Sequence, residues 1–284
     1  MRLARLGRAK RWILGITIGI AASYAMIVPA VYLTQRSLIF PAPELFSEVP
    51  AGYEQVSLRT SDGLDLAAVN RPAAPGMPTV VFFHGNGDSW AGSAAATAAL
   101  AQAGYGVLVP EYRGYGSNPG QPSETGLYKD GRAASAWLTA RGVTPEQQVL
   151  IGNSLGSGVA TQLALDVQPA ALVLVSPFSS LPDVVVEKLP WLPGKWLVRD
   201  RFDNAAKIGK ITAPVLILHG TLDTMVLPAQ AQQLAAANPR ARLMLVPGYA
   251  HELAYEQVAQ QLEIDWLRSL SGLHPSHRHI PAGI

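Results

Sequence analysis

A short apolar run ends in a serine framed by glycines in the stretch Val149-Leu150-Ile151-Gly152-Asn153-Ser154-Leu155-Gly156-Ser157-Gly158. This stretch matches the pattern G-x-S-x-G, in which the serine sits on a sharp turn between a strand and a helix with its hydroxyl exposed. Glycine is needed at both framing positions because side chains there would collide with the neighbouring strand and helix, and because glycine tolerates unusual backbone angles. The pattern alone also fits an ordinary surface turn, so its context has to distinguish the two interpretations.

From residue 79 onward, short apolar segments alternate with helical ones. The apolar segments lack polar interruptions, which is typical of strands buried on both faces of a parallel sheet. Two earlier segments alternate apolar and polar residues around Ser61-Asp62-Gly63, which predicts an antiparallel hairpin at the sheet edge. The sequence therefore predicts an α/β fold with a mostly parallel central sheet flanked by helices. The predicted strands are 54–58, 64–70, 79–83, 106–110, 148–151, 171–176, 215–219 and 242–246, and the predicted helices are 93–103, 125–141, 154–167, 229–237 and 252–270.

In this fold Ser154 lies at the carboxyl end of a central strand, the edge of an open α/β sheet where sites form. The strand 79–83 ends at the same edge and continues into His84-Gly85-Asn86-Gly87. Glycines in this loop let the backbone approach a ligand, so we expect the backbone N–H groups of Asn86 and Leu155 to form an oxyanion hole. The alternative interpretation of the loop is a tight turn without a catalytic role.

Two further strand ends carry the groups that a nucleophilic serine needs. Asp223 follows the strand 215–219 and is suited to orient an imidazole, although it also fits a helix N-cap. His251 follows the last strand and is the candidate general base, its alternative being a surface histidine on a loop. We expect His219, at a strand end, to be a packed histidine. The order Ser154, Asp223, His251 is the order of a Ser-Asp-His triad on this type of fold.

The composition excludes several classes of site and partner. The 284 residues include no cysteine, which rules out disulfides, thiolate metal sites and a cysteine nucleophile. Of 22 basic residues, five precede residue 12, so the remaining chain carries 17 basic against 20 acidic residues, a net formal charge of −3. We therefore expect no nucleic-acid partner.

Residues 12–33 are almost wholly apolar and directly follow that basic cluster. At about 1.5 Å per residue, a helix of this length crosses a hydrocarbon core of about 30 Å. Basic residues stay on the cytoplasmic side, so we expect a cytoplasmic tail at 1–11, a transmembrane anchor at 12–34 and a domain at 35–271 on the far side, periplasmic in a bacterium. The alternatives are a cleaved signal peptide, which would give a secreted protein, and a buried core helix.

An insertion longer than a simple βα connection precedes the strand 215–219. We expect residues of about 179–210 to form a small lid, and an acyl pocket to be lined by Phe178, Trp191 and Trp196. The alternative is that this segment packs on the sheet like any other helix.

The last residues, 272–284, hold three histidines among prolines, at positions 274, 277 and 279. Histidines without a fixed scaffold are more typical of a solvated, flexible tail than of a metal site. We expect no metal and no cofactor.

Further short segments accompany the candidate triad and span, with it, nearly all of residues 35–270. Together they resemble the α/β-hydrolase superfamily, and more narrowly its membrane-anchored Bem46-type group, which is related to the animal α/β-hydrolase-domain proteins 12, 13 and 17. In one departure, His84-Gly85-Asn86 is followed by Gly87-Asp88-Ser89 where the group tends to have Ala-Gly-Asn. The matching segments are Leu38-Ile39-Phe40-Pro41, His84-Gly85-Asn86, Tyr112-Arg113-Gly114-Tyr115-Gly116, Pro122-Ser123-Glu124-Thr125-Gly126-Leu127-Tyr128-Lys129-Asp130, Ser176-Pro177-Phe178 and Arg201-Phe202-Asp203-Asn204.

These residues predict a serine hydrolase that works through an acyl-enzyme. Cleavage of an ester or thioester is the leading hypothesis, and both the membrane anchor and the resemblance favour acylated or lipid-like substrates. A peptidase is the alternative, because the triad does not distinguish an ester from an amide. A second alternative is a non-catalytic, membrane-tethered binding protein that keeps the fold. The acyl chain length, the leaving group and the oligomeric state stay open.

Overall fold

A computed structural model describes residues 7–43, 47–271 and 273. The histidines predicted to lie in a tail, and most of the basic segment at 1–11, fall outside these described residues. Eight strands form one sheet in the order β1-β2-β4-β3-β5-β6-β7-β8. The strands are β1 (Glu54–Arg59), β2 (Asp65–Arg71), β3 (Thr79–Phe83), β4 (Gly106–Pro110), β5 (Gln148–Asn153), β6 (Ala171–Val175), β7 (Val215–Gly220) and β8 (Arg242–Val246).

The sheet is antiparallel only at one edge. The hairpin β1–β2 pairs antiparallel, β2 also pairs antiparallel with β4, and all other neighbouring strands run parallel. This arrangement confirms the predicted fold class. Because β3, β5, β7 and β8 share one direction, their carboxyl ends meet at the same edge of the sheet.

Alternate residues of each central strand enter the hydrophobic layers on opposite faces of the sheet. In β3, Val81 and Phe83 belong to one buried cluster, and Val80 and Phe82 belong to the other. All five residues of β3 are buried. Each fully buried aliphatic or aromatic side chain contributes roughly 1.5–3 kcal/mol, so the two faces together hold the strand ends of the sheet in fixed positions.

The helices cover both faces, with two differences from the predicted boundaries. The segment 93–103 forms two short helices that break at Thr97, where φ is −111°. The segment 252–270 divides into a 3-10 turn (His251–Tyr255) and a helix that begins at Gln257, because Glu256 has an extended backbone with ψ of 137°. The helices of the domain are α2 (Trp90–Ala96), α3 (Ala98–Gln102), α4 (Glu124–Thr139), α5 (Gly156–Val167), α6 (Leu181–Lys188), α7 (Gly194–Leu197), α8 (Ala205–Ile208), α9 (Pro228–Ala237) and α10 (Gln257–Ser269).

The N-terminal helix α1 (Arg8–Ile39) is longer than the predicted anchor at 12–34. It continues through Pro29 and ends two residues before Pro41, whose ring cannot be accommodated in a helix interior. The part Lys10–Ile39 is long and apolar enough to cross a bilayer, and its most apolar window is not buried by the rest of the protein. An N-terminal signal sequence passes the same test of length and composition.

The predicted lid contains α6, α7 and α8, joined by irregular segments. Its first helix begins at a Ser180 cap, whose hydroxyl accepts a hydrogen bond from the Asp183 N–H. The lid also reaches the N-terminal helix, because Asp200 accepts two hydrogen bonds from the Arg36 guanidinium at 2.8 and 3.2 Å. The helix and the lid are therefore joined at this point.

Candidate active site

Ser154 lies on the turn between β5 and α5 with a positive φ of 49°. Its N–H donates to the Val175 carbonyl at 3.0 Å, which ties the turn to the neighbouring strand. A Cβ at Gly152 would lie 2.5 Å from the Gly156 carbonyl oxygen, and a Cβ at Gly156 would collide with the Phe83 carbonyl. The two glycines are therefore required by contact, and the strained turn is the one that the sequence pattern predicts.

Ser154, His251 and Asp223 form one chain of hydrogen bonds. His251 Nε2 lies 2.9 Å from Ser154 Oγ, and His251 Nδ1 lies 2.7 Å from Asp223 Oδ2. Since a carboxylate oxygen only accepts, Nδ1 carries the proton, and the Nε2 of the neutral ring is left to accept the Ser154 hydroxyl proton. The geometry thus suits transfer of a proton from the serine to the histidine.

The Asp223 carboxylate is buried and strongly bound by donors. Its Oδ1 accepts the N–H groups of Met225 and Val226 at 2.8 and 2.9 Å. Burial would raise the pKa of Asp223, but hydrogen bonds from His219, His251 and the Val226 N–H outweigh it and hold the pKa well below its usual range. Asp223 is thus ionised at neutral pH and can stabilise a cation on His251.

His219 does more than pack at the end of β7. It is fully buried, and its Nε2 lies 3.1 Å from Asp223 Oδ2 and 2.9 Å from the Val226 carbonyl oxygen. Both neighbours are acceptors, so Nε2 carries the proton and faces Asp223 Oδ2, the same oxygen that His251 Nδ1 approaches. The sequence signal was the spacing of four residues between His219 and Asp223 at one strand end, which by itself does not distinguish support from simple packing.

The residues predicted to supply oxyanion donors are Asn86, in the loop after β3, and Leu155, directly after the serine. A Cβ at Gly85 would be 3.5 Å from Ser154 Cβ, so the loop after β3 comes directly against the turn. Leu155 follows the serine and is buried at the start of α5. Within the described parts of the chain, the backbone N–H groups of Asn86 and Leu155 donate no hydrogen bond. Both are therefore available to an oxygen that develops negative charge beside Ser154.

A buried ion pair supports the loop that carries Asn86. His84 Nδ1 lies 2.9 Å from the Gly85 carbonyl oxygen, and its Nε2 lies 2.8 Å from Glu111 Oε1. Burial alone would lower the pKa of His84, but the charge and hydrogen bond of Glu111 raise it. Each ring nitrogen faces an acceptor, which suits an imidazolium that donates from both nitrogens. The Gly85 carbonyl points towards the buried His84 ring. In a planar trans peptide the N–H of the next residue, Asn86, points in the opposite direction.

Asp88, part of the Gly87-Asp88-Ser89 segment that departs from the Bem46-type pattern, has a structural role. Its Oδ2 accepts the Tyr255 hydroxyl at 2.6 Å, and its Oδ1 accepts the Ser89 N–H at 2.7 Å. Tyr255 ends the 3-10 turn that begins with His251. The loop of Asn86 is therefore tied by a side chain to the turn that holds the histidine. Sequence reasoning missed this link, because it joins residues that lie 167 positions apart.

The three aromatic residues predicted to line one acyl pocket lie in three different surroundings. Phe178 is 2% exposed and belongs to the hydrophobic core. Trp191 packs its ring edge-on against Tyr24 of α1, with ring centres 6.3 Å apart. Trp196 is 89% exposed. They do not form a shared pocket lining, because the lid packs partly on the N-terminal helix, a contact that the sequence alone does not reveal.

Comparison with known proteins agrees with this architecture. A family model described as alpha/beta hydrolase fold matches residues 78–206. A relative from Mycobacterium tuberculosis, the uncharacterized protein Rv2307c, is 39% identical over 235 residues, which cover 79% of this chain and 83% of the relative. The chain belongs to the α/β-hydrolase family. The human alpha/beta hydrolase domain-containing protein 17B is 34% identical to this hydrolase over 173 residues, which cover 59% of this chain and 58% of that protein.

Solved structures of hydrolases share the fold. The crystal structure of a membrane phospholipase A, described as a bacterial virulence factor, superposes with a TM-score of 0.58 at 19% sequence identity. The match covers 92% of this α/β hydrolase and all of the phospholipase chain. At this identity the likeness concerns the fold alone.

Proposed function

We propose that this hydrolase cleaves ester or thioester bonds of acylated, lipid-like substrates, with Ser154 as nucleophile, His251 as general base and Asp223 as the acid that orients it. The observation that carries the proposal is the continuous chain from Ser154 Oγ to His251 to Asp223 at a strained strand-to-helix turn. A structural role alone does not require a serine at positive φ beside a histidine in the acceptor tautomer.

In the proposed reaction, Ser154 Oγ attacks the substrate carbonyl while His251 Nε2 takes the hydroxyl proton. The Asn86 and Leu155 N–H groups bind the resulting oxyanion, and each such donor typically contributes about 3 kcal/mol to the transition state. His251 then gives the proton to the departing alcohol or thiol, which leaves an acyl-enzyme. A water molecule, deprotonated by His251, attacks this ester and releases the acid, which restores Ser154.

We further propose that α1 anchors the hydrolase in a membrane. Two features support this: the exposed apolar surface of Lys10–Ile39 and the basic residues that precede it. The domain organisation is then a cytoplasmic tail at 1–11, an anchor at 12–34, a catalytic domain at 35–271 on the far side and a tail at 272–284. A lipid-like substrate suits this location, and a membrane phospholipase A shares the fold.

A panel of acyl esters and thioesters of rising chain length, assayed with the full chain in detergent micelles, tests the proposal. Aminopeptidase substrates run beside them. We expect ester turnover that is lost in Ser154→Ala, and little or no amide cleavage. Faster turnover of amides than of esters would favour a peptidase. Absence of all turnover in a folded sample would favour a non-catalytic protein.

A further inference from the structure

The lid carries large apolar side chains that face outward. The segment 189–198, here called the lid tip, includes Trp191 at 50% exposure and Trp196 at 89%. Leu189 beside them is also exposed. Side chains of this size seldom face water together on a soluble surface, so their exposure indicates a partner. Tryptophan in particular is enriched where proteins meet the boundary of a bilayer.

Apolar contacts join the lid tip to the middle of α1. The rings of Tyr24 and Trp191 pack edge-on, and the Tyr24 hydroxyl donates to the Trp191 carbonyl at 3.1 Å. Further along α1, an apolar groove of about 230 Å³ separates Val31 on the helix from Leu192 and Leu197 on the lid tip. The lid tip thus runs alongside the helix over several turns.

Polar contacts follow at the end of α1 nearest the domain. Gln35 accepts the Arg199 N–H at 2.8 Å and donates to the Leu197 carbonyl at 3.2 Å. At the next residue of α1, the Arg36 guanidinium donates hydrogen bonds to both carboxylate oxygens of Asp200. Aromatic and aliphatic contacts, with one hydrogen bond from the Tyr24 hydroxyl, thus lie from Tyr24 to Val31, and the charged contact lies at Arg36. This order follows the change from hydrocarbon to water along a helix that leaves a bilayer.

The rise per residue of α1 gives an approximate depth in the bilayer for Tyr24. Twenty residues at about 1.5 Å each span the roughly 30 Å hydrocarbon core, so a span that begins at Trp12 ends near Val31. Tyr24 lies seven residues before that limit, or about 10 Å inside the core. Trp191 contacts Tyr24, which places the lid tip beside the part of α1 that is apolar enough to enter the bilayer.

We propose that the lid tip inserts into the outer leaflet of the bilayer beside α1, so that the protein meets the membrane at two places. The proposal rests on the membrane anchor of the proposed function. Its partner is the hydrocarbon and interfacial region of the lipid bilayer, with Trp196 as the exposed residue that enters it. The contacts of Gln35 and Arg36 then fix the angle at which the domain stands on the membrane.

Insertion of the lid tip brings the loop of the catalytic acid towards the lipid. Lys188 directly precedes the lid tip and donates a hydrogen bond to the backbone carbonyl of Thr224, the residue after Asp223. Leu222 and Met225 in the same loop are also large, apolar and exposed. Exposed apolar side chains therefore lie both on the lid tip and on the loop of the catalytic acid, which Lys188 joins, and the substrate class that this arrangement favours is a lipid of the same leaflet.

Depth measurements on spin labels test the proposal, and the absence of cysteine makes each label unique. We would label Trp196→Cys in the full chain, reconstituted in phosphatidylcholine nanodiscs, and measure relaxation by oxygen and by a water-soluble nickel chelate. Gly19→Cys reports the anchor, because a side chain there meets no other atom of the domain. Ala140→Cys is the control in water: it is exposed and lies before β5, at the sheet edge opposite the site.

We expect oxygen to relax the label at position 196 as it does the label at position 19, with loss of the effect of the chelate seen at position 140. Strong relaxation by the chelate at position 196 would overturn the proposal. Protection from both reagents would also overturn it, because it would mean that protein covers the lid tip. A label in water at position 19 would refute the anchor and the proposal with it. Fluorophosphonate labelling of Ser154 in the same samples reports the hydrolase activity separately.

Discussion

Replacing Asp223 by asparagine removes one charge and exchanges an acceptor for a donor in the chain of hydrogen bonds. The carboxylate is buried and lies 2.7 Å from His251 Nδ1. Unit charges about 4 Å apart interact by about 4 kcal/mol at an effective dielectric constant of 20, so the imidazolium formed in the reaction loses roughly that stabilisation. This loss corresponds to about a thousandfold in rate. An asparagine amide can also donate to Nδ1, which favours the ring tautomer that cannot accept the Ser154 proton.

The assay is kcat and KM for a short p-nitrophenyl ester, measured on Asp223→Asn and on a matched control. Asp265→Asn serves as the control, because Asp265 lies on α10 and accepts an exposed hydrogen bond from Gln261. We expect kcat to fall by about a thousandfold in Asp223→Asn with little change in KM, and no change in the control. A kcat within about tenfold of the wild type would refute the role given to Asp223.

Three further substitutions test a backbone contact at the site, a buried ion pair and a buried carboxyl on α10. Gly156→Ala forces a methyl group onto the Phe83 carbonyl, so we expect a loss of more than about 3 kcal/mol in unfolding free energy and loss of turnover; normal stability would contradict the turn geometry. His84→Gln leaves Glu111 buried without its cation and should cost about 3–5 kcal/mol, part of which the double variant with Glu111→Gln should recover; equal stabilities of the two variants would speak against the ion pair. Burial raises the pKa of Glu263 to about 8, whereas its ordinary value is 4.5. Between these two pH values the native state keeps a proton that the unfolded state has released. The free energy of unfolding should therefore fall by up to about 1.4 kcal/mol for each unit by which the pH rises. Glu263→Gln should flatten that dependence in urea titrations, and an unchanged slope would disprove the assignment.

The sequence predicts the parts of this molecule that depend on local pattern. The strands appear at the predicted segments because uninterrupted apolar runs have few alternatives to burial between two layers of helices. Ser154, Asp223 and His251 were proposed for a related reason: Ser154 directly follows β5, while Asp223 lies three residues after β7 and His251 five residues after β8. Parallel strands bring their carboxyl ends together, so these three positions were expected to lie close to one another.

The contacts that were missed join distant segments through single side chains. Nothing in the sequence near Asp88 indicates Tyr255, and nothing near Trp191 indicates Tyr24. The aromatic residues of the lid were expected at a pocket because apolar residues have to be covered. The sequence does not say whether the cover is a substrate, the sheet or a neighbouring helix, and the structure gives Trp191 a helix as its neighbour.

Covalent labelling of Ser154 tests the central claim most directly. The full chain in detergent micelles is treated with a fluorophosphonate probe, and the modified peptide is identified by mass spectrometry after proteolysis. We expect one adduct on Ser154, none in Ser154→Ala and a much slower reaction in His251→Ala. No adduct on a wild-type sample that unfolds cooperatively, or an adduct that persists in Ser154→Ala, would contradict a nucleophilic serine at this turn.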